Sequence, residues 1–452
     1  PIHYGSANTA TKGHTFDEVG AHTNKHRMKS KLLNIITSAI IVLALLSFYG
    51  WSVRTHGTPG KAQGLWGNFL VTLTSFPDLV TRAAEEVEKL PGTFVPTHPD
   101  FEPVNRLDYD VNVLVTYTNE AGNRAVEVRN LRTQSIEKSW EVKGGLKPHH
   151  RVMHPLLLSN DRVVYATNGH GGIYCMNDKG EQLWHQSEIG HHHSMNKGLG
   201  ESMWVCAYDL SEATYPSNGV VYEMGGVKYQ FLDNYIVQLD TESGALLYKR
   251  SMAELLLDKG LEHLIIKSVV VDDPIHLNDV QPVLESSEYM LAGDVFLSFR
   301  TSSVLLHYRP SNDSIIRVIE GPFTSQHDVD IIDGKTIAFF NNNAPTKRFK
   351  EDGSRGQETQ LLKYPSFSSH ISYYDLSTRT FSTPNKEVYA QHGVYSFTEG
   401  LFEELPNGDV FIEEQNPSLI WVFRQDSLMF KGILPSHHEG HHHLLNWSRP
   451  VD

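Results

Sequence analysis

The sequence predicts an all-β protein, a six-bladed β-propeller with an N-terminal single transmembrane helix and a short helical connector. Three observations carry this. From Val104 to about Leu434, short runs of Val, Ile, Tyr, Phe and Leu are separated by Gly, Asn and Asp turns. A loose unit of strand, turn, strand and returning hairpin starts near Val111, Leu156, Met203, Met290, Val329 and Phe402, six times at about the 50-residue period of a propeller blade. Upstream, residues 32–53 carry no charge and, at about 20 residues, match the hydrocarbon core of a bilayer.

The chain has 452 residues, 20% charged and 40% hydrophobic, enough for one large or two medium domains. A net charge of -14 argues against a nucleic-acid partner, which needs a basic face. Cys175 and Cys206 are the two cysteines, without CxxC or zinc spacing. They fit either a disulfide in an oxidising compartment or two buried thiols.

Residues 1–31 form a polar tail, and a chain opening at Pro1 fits removal of an initiator Met better than cleavage of a signal peptide. Residues 32–53 form the transmembrane helix, bracketed by Lys31 and Arg54, with Tyr49 and Trp51 at interfacial positions. Lys25, Arg27, Lys29 and Lys31 crowd its N-terminal side. The positive-inside rule then keeps the tail in the cytoplasm and sends the rest across the cytoplasmic membrane to the periplasm. Residues 54–103 form the connector. Trp66, Phe69, Leu70, Leu73, Phe76, Leu79 and Val80 have near-helical spacing broken by Pro77, and Pro91, Pro96, Pro99 and Pro103 make an extended linker.

Residues 104–434 form the propeller, with an inserted loop at 344–366; a pair of β-sandwiches is the alternative. Residues 435–452 read as a His-rich C-terminal tail in preference to a metal site at His437–His443.

Propeller loops that lead into the innermost strands meet at one mouth of the central channel. His193, His276 and His327 each precede an apolar strand, at 203–207, 289–297 and 331–340, so equivalent places in three blades bring them to one funnel. An imidazole can be nucleophile or base, and Arg300 can grip an oxyanion with its rigid fork. The bland alternative is polar loop residues scattered through a His-rich chain, and His149, His150 and His154 are read that way.

The segments His192-His193-Ser194-Met195-Asn196, Asp273-Pro274-Ile275-His276-Leu277-Asn278, Leu297-Ser298-Phe299-Arg300, Gln326-His327-Asp328 and Leu405-Pro406-Asn407-Gly408-Asp409 resemble, in that order, the motifs of the bacterial arylsulfotransferase family. The resemblance spans roughly residues 150–430. It implies a six-bladed propeller with a ping-pong reaction, in which an aryl sulfate donor passes its sulfuryl group to a His and then to a phenolic acceptor. By motif, His327 is the nucleophile, His276 and Asn278 bind sulfate, Arg300 is the cation, and His192 or His193 is the remaining His. We group His193, His276, Arg300 and His327 as catalytic, and His192, Asn196 and Asn278 as substrate-binding, with no metal or other cofactor. Three departures stand out, one being the extra residues between Asn278 and Arg300 that displace the Arg motif. Ser194 follows the His doublet where the family usually carries Asp, and a membrane anchor replaces the N-terminal β domain. The alternative function is a non-catalytic propeller subunit of a larger membrane complex.

Overall fold

The computed structural model describes residues 17–56, 90, 92–142, 151–168, 171–209, 219–268, 270–344 and 368–451. It separates into two units, Pro1–Lys89 and Leu90–Asp452. In the first, Asp17–His56 is one helix. Its segment Leu33–Ser52, with a mean hydropathy of 2.0, is long and apolar enough to cross a membrane, and a signal sequence near an N-terminus shares those properties. The expected connector falls largely on residues 57–89, outside the described residues.

The second unit holds six antiparallel blades among the described residues. Blade 1 contains Asn112–Thr118, Arg124–Asn130 and Ile136–Glu141. Blade 2 runs from Val152–Leu157 to Gln182–Gln186. Blade 3 runs from Ile189–Lys197 to Leu246–Ser251, with the hairpin Val220–Met224 and Val227–Phe231 inserted. Blades 4, 5 and 6 start with Leu277–Pro282, His327–Ile331 and Leu401–Glu404. The innermost strands carry the His motifs themselves, so the apolar strands that follow them are the second of each blade.

Each blade buries both faces, because successive side chains point to opposite sides. Phe339 packs in the core shared with blade 4, and its neighbour Phe340 in the core shared with blade 6. The same alternation sends Val205 toward blade 2, and Trp204 and Cys206 toward blade 4. The six main cores lie one between each adjacent pair of blades, and the last, joining blades 6 and 1 through Phe411, Val422, Val113 and Val115, closes the ring. Two packed sandwiches would not give such a circuit.

Both termini of this unit take part in the closure. Arg449–Val451 is the innermost strand of blade 1, with Arg449 opposite Leu114, and Val104–Asn105 adds a fifth strand to blade 6. His441–His443 pairs with Phe94–Pro96. The segment expected as a His-rich tail carries two of these three-residue strands. Its histidines brace this closure: His438 and His443 both face the Glu120 carboxylate, at 3.2 and 3.4 Å, and His442 Nε2 donates to the Pro417 carbonyl.

Cys175 and Cys206 are free and buried, on cores separated by blade 3. Burial pushes the Cys175 thiol up to about 11. The inserted loop lies mostly outside the described residues.

Candidate functional site

The innermost strands of blades 2 to 5 all break register near their channel-facing start, between Met153 and Leu156, His191 and Met195, Leu277 and Asp279, and His327 and Val329. Such a bulge re-aims side chains that a regular strand would turn into the sheet. The left-handed backbone that accompanies it falls on His154, His193, His276 and Asp328, with φ from 50 to 62°. Non-glycine residues take that conformation rarely, and it clusters at functional sites.

The result is a packed group of imidazoles. Ring centres lie 4.1 Å apart for His192 and His193, 4.7 Å for His192 and His276, and 5.3 Å for His193 and His327. His193 Nε2 is 3.1 Å from His276 Nε2. Burial holds His192, His193 and His327 well below the usual imidazole range, so they are neutral at neutral pH.

His327 is fully buried and its tautomer follows from its neighbours. The Asn342 amide nitrogen donates to the carbonyls of Ser396 and Glu399, both at 2.8 Å. That leaves Asn342 Oδ1 as acceptor, 2.7 Å from His327 Nδ1, so Nδ1 carries the proton. Nε2 is left with its lone pair, which among the described residues accepts the Glu399 N–H at 3.3 Å.

His276 Nδ1 lies 2.7 Å from Asp273 Oδ2. Burial alone would push the Asp273 carboxyl up, but the charge and hydrogen bond of His276 outweigh it and hold the carboxyl below its usual range. Arg300 donates its backbone N–H to the His276 carbonyl, and its charge acts on both His327 and Glu399. Asn278 donates to the Gln326 carbonyl and leaves its buried Oδ1 without a protein partner.

Asn196 is held away from this group. Its nitrogen donates to Asp279 and the Val280 carbonyl, and its oxygen accepts from Arg449, so its amide is engaged in joining blades.

The sequence of residues 154–431, more than half of the chain, matches the model of the family described as Arylsulfotransferase (ASST). The chain belongs to the arylsulfotransferase family. No curated protein matches it in sequence. Among solved structures it is similar to a protein of unknown function from Bacteroides caccae, with a TM-score of 0.46 and 8% identity over 75% of this chain and 99% of that one. It is also similar to the WD40 β-propeller domain of Doa1, at 0.38 and 12% over 76% and 87%. A third is a streptogramin B lyase, at 0.37 and 12% over 74% and 87%. At these TM-scores the likenesses carry no argument.

This family member has Ser194 after its His doublet, and the geometry accounts for it. Ser194 Oγ accepts the Val280 N–H of the next blade at 3.2 Å. Asp279 accepts the Val329 N–H at 2.6 Å, and Asp328 the Phe402 N–H at 2.8 Å. The position needs a buried acceptor that latches one blade to the next, and a hydroxyl serves.

Four residues near the imidazoles escaped the reading of the sequence. His154 stacks 4.8 Å from Trp447 and lies 6.4 Å from His193; its place just before Leu156, where a blade unit starts, was the available signal. Asp273 was quoted in a motif but given no role. Asn342 lies in a run of three asparagines with nothing to single it out. Glu399 precedes Gly400, whose φ of 121° and close approach to the Phe340 ring exclude a Cβ. Burial pushes the Glu399 carboxyl up to about 7.

Proposed function

We propose that this arylsulfotransferase moves a sulfuryl group between phenols through a sulfohistidine on His327. The observation that carries the reading is the His327 tautomer, with Nδ1–H anchored on Asn342 and the Nε2 lone pair held by a long hydrogen bond from the Glu399 N–H, which the donor's sulfur must displace, under the charge of Arg300.

In the first half-reaction Nε2 attacks sulfur, an N–S bond forms and the S–O(aryl) bond breaks. The ring becomes an imidazolium whose Nδ1–H stays on Asn342. Arg300 and Asn278 stabilise the sulfuryl oxygens, and a proton carried on the His276 side of the His193–His276 pair, where Asp273 supports the cation, goes to the leaving phenolate. In the second half an acceptor phenol gives its proton back to that pair and attacks sulfur, and the N–S bond breaks.

The apolar helix supports a membrane anchor at residues 32–53, with the N-terminus cytoplasmic and the propeller in the periplasm. A second reading is a docked, non-catalytic subunit of a larger membrane complex. It draws on the blade 3 hairpin, which leaves Val221 and Val227 more than half exposed.

Turnover of a nitrophenyl sulfate with a phenol acceptor tests the first reading. His327→Ala should abolish transfer while the fold persists; undiminished turnover by that variant removes the mechanism.

A further inference from the structure

We propose that His192, His193 and His276 form a binding site for one divalent transition-metal ion of the zinc class, next to His327. No metal was expected from the sequence, and the binding claim stands on geometry, apart from the sulfotransfer reading.

The ligand nitrogens of the three rings all lie within 4.8 Å of one another. His193 Nε2 and His276 Nε2 are 3.1 Å apart. Two nitrogens on a tetrahedral ion, each bonded at about 2.0–2.1 Å, stand about 3.3 Å apart, so the His193–His276 pair is already at ligand spacing and the His192 ring closes in to complete the set. Adjacent residues of a regular strand face opposite sides. His192 and His193 converge because His193 sits at the bulge with φ 62°.

The groups behind two of the three rings, His276 and His192, also fit. A metal-bound His usually donates its other ring N–H to a carboxylate or a carbonyl, which fixes the tautomer and aims the free nitrogen. His276 Nδ1 has the Asp273 carboxylate at 2.7 Å, itself held by Asn234 at 2.9 Å and Tyr208 at 3.2 Å. His192 Nδ1 lies 3.2 Å from the Leu277 carbonyl. The bond at His276 turns its Nε2 toward His193.

Three protein ligands leave a fourth position open, as in zinc sites that bind water or substrate. With the His193 and His327 rings 5.3 Å apart, an oxyanion on that position lies near His327. Use of the ion as a grip for the donor's sulfate does rest on the proposed function, with the ion at its open position, in place of a proton from the His193–His276 pair, then stabilising the leaving phenolate.

The test uses the full-length protein in detergent, stripped with a chelator and titrated with Co²⁺ and Zn²⁺. One equivalent should bind with the visible bands of tetrahedral cobalt. His276→Gln and His193→Gln should weaken binding more than about 100-fold, and Asp273→Asn by about 10–100-fold. His327→Ala should bind as the wild type does and serves as the folding control, with circular dichroism run on every variant. Failure of the wild type to take up a stoichiometric ion overturns the proposal, as does unchanged binding by folded His276→Gln. Turnover by metal-free protein overturns the grip alone, and metal uptake without turnover counts against the sulfotransfer reading while the site stands.

Discussion

The Asn342 side chain fixes the His327 ring: its nitrogen is committed to two backbone carbonyls, so its oxygen, 2.7 Å from Nδ1, must accept that proton. The anchored Nδ1–H leaves Nε2 as the one nucleophilic nitrogen, and it also spreads the positive charge of a sulfated ring. Asn342 is thus a positioning residue.

Asn342→Leu is therefore expected to cut kcat by about 10–100-fold with little change in the KM for donor, the scale seen when a ring-orienting partner is lost. Steady-state kinetics with nitrophenyl sulfate check it. A KM effect at constant kcat would mean that the amide only shapes the pocket.

Glu399 sets an alkaline limit. Burial raises its carboxyl to about 7, so it is neutral below that pH and anionic above it. An anion that interacts with Arg300 weakens the guanidinium's hold on a sulfate ester. Donor kcat/KM should fall as pH rises through about 7 in the wild type and stay flat through that range in Glu399→Gln.

Ser194→Ala removes the acceptor of the Val280 N–H inside the junction of blades 3 and 4. A buried donor without a partner costs about 1–3 kcal/mol, which denaturant unfolding should read as a lower midpoint at unchanged slope.

Glu413 links pH to stability at the closure strand, where it accepts the Trp447 and Ser448 N–H groups. Burial raises it from 4.5 to about 7. A raised folded-state value means that its contribution is fully present below about 4.5 and is lost as pH rises through about 7. Glu413→Gln should lose less Tm than the wild type between pH 5 and pH 8, and calorimetry on the pair isolates this group from the buried histidines.

The radial fold was legible because both faces of each blade are buried, which writes apolar runs such as 203–207 and 337–340 into the sequence. The closing strand was not. Arg449-Pro450-Val451 is short, follows a run of histidines and contains Pro450, which cannot donate to a ladder and so reads as a strand breaker. The imidazole group was legible by blade equivalence. Its supports, Asn342 and Glu399, were not, because they act through a single contact fixed by tertiary packing. Asn196 was legible only as a polar residue in a motif, and its neighbours Arg449 and Asp279 come from blades 1 and 4.

The most direct measurement is mass spectrometry of the protein quenched after mixing with an aryl sulfate and no acceptor. The account predicts one added sulfuryl group, mapped to the peptide bearing His327 and lost on adding a phenol. A sulfuryl group on another residue, or none under conditions of active turnover, would contradict it.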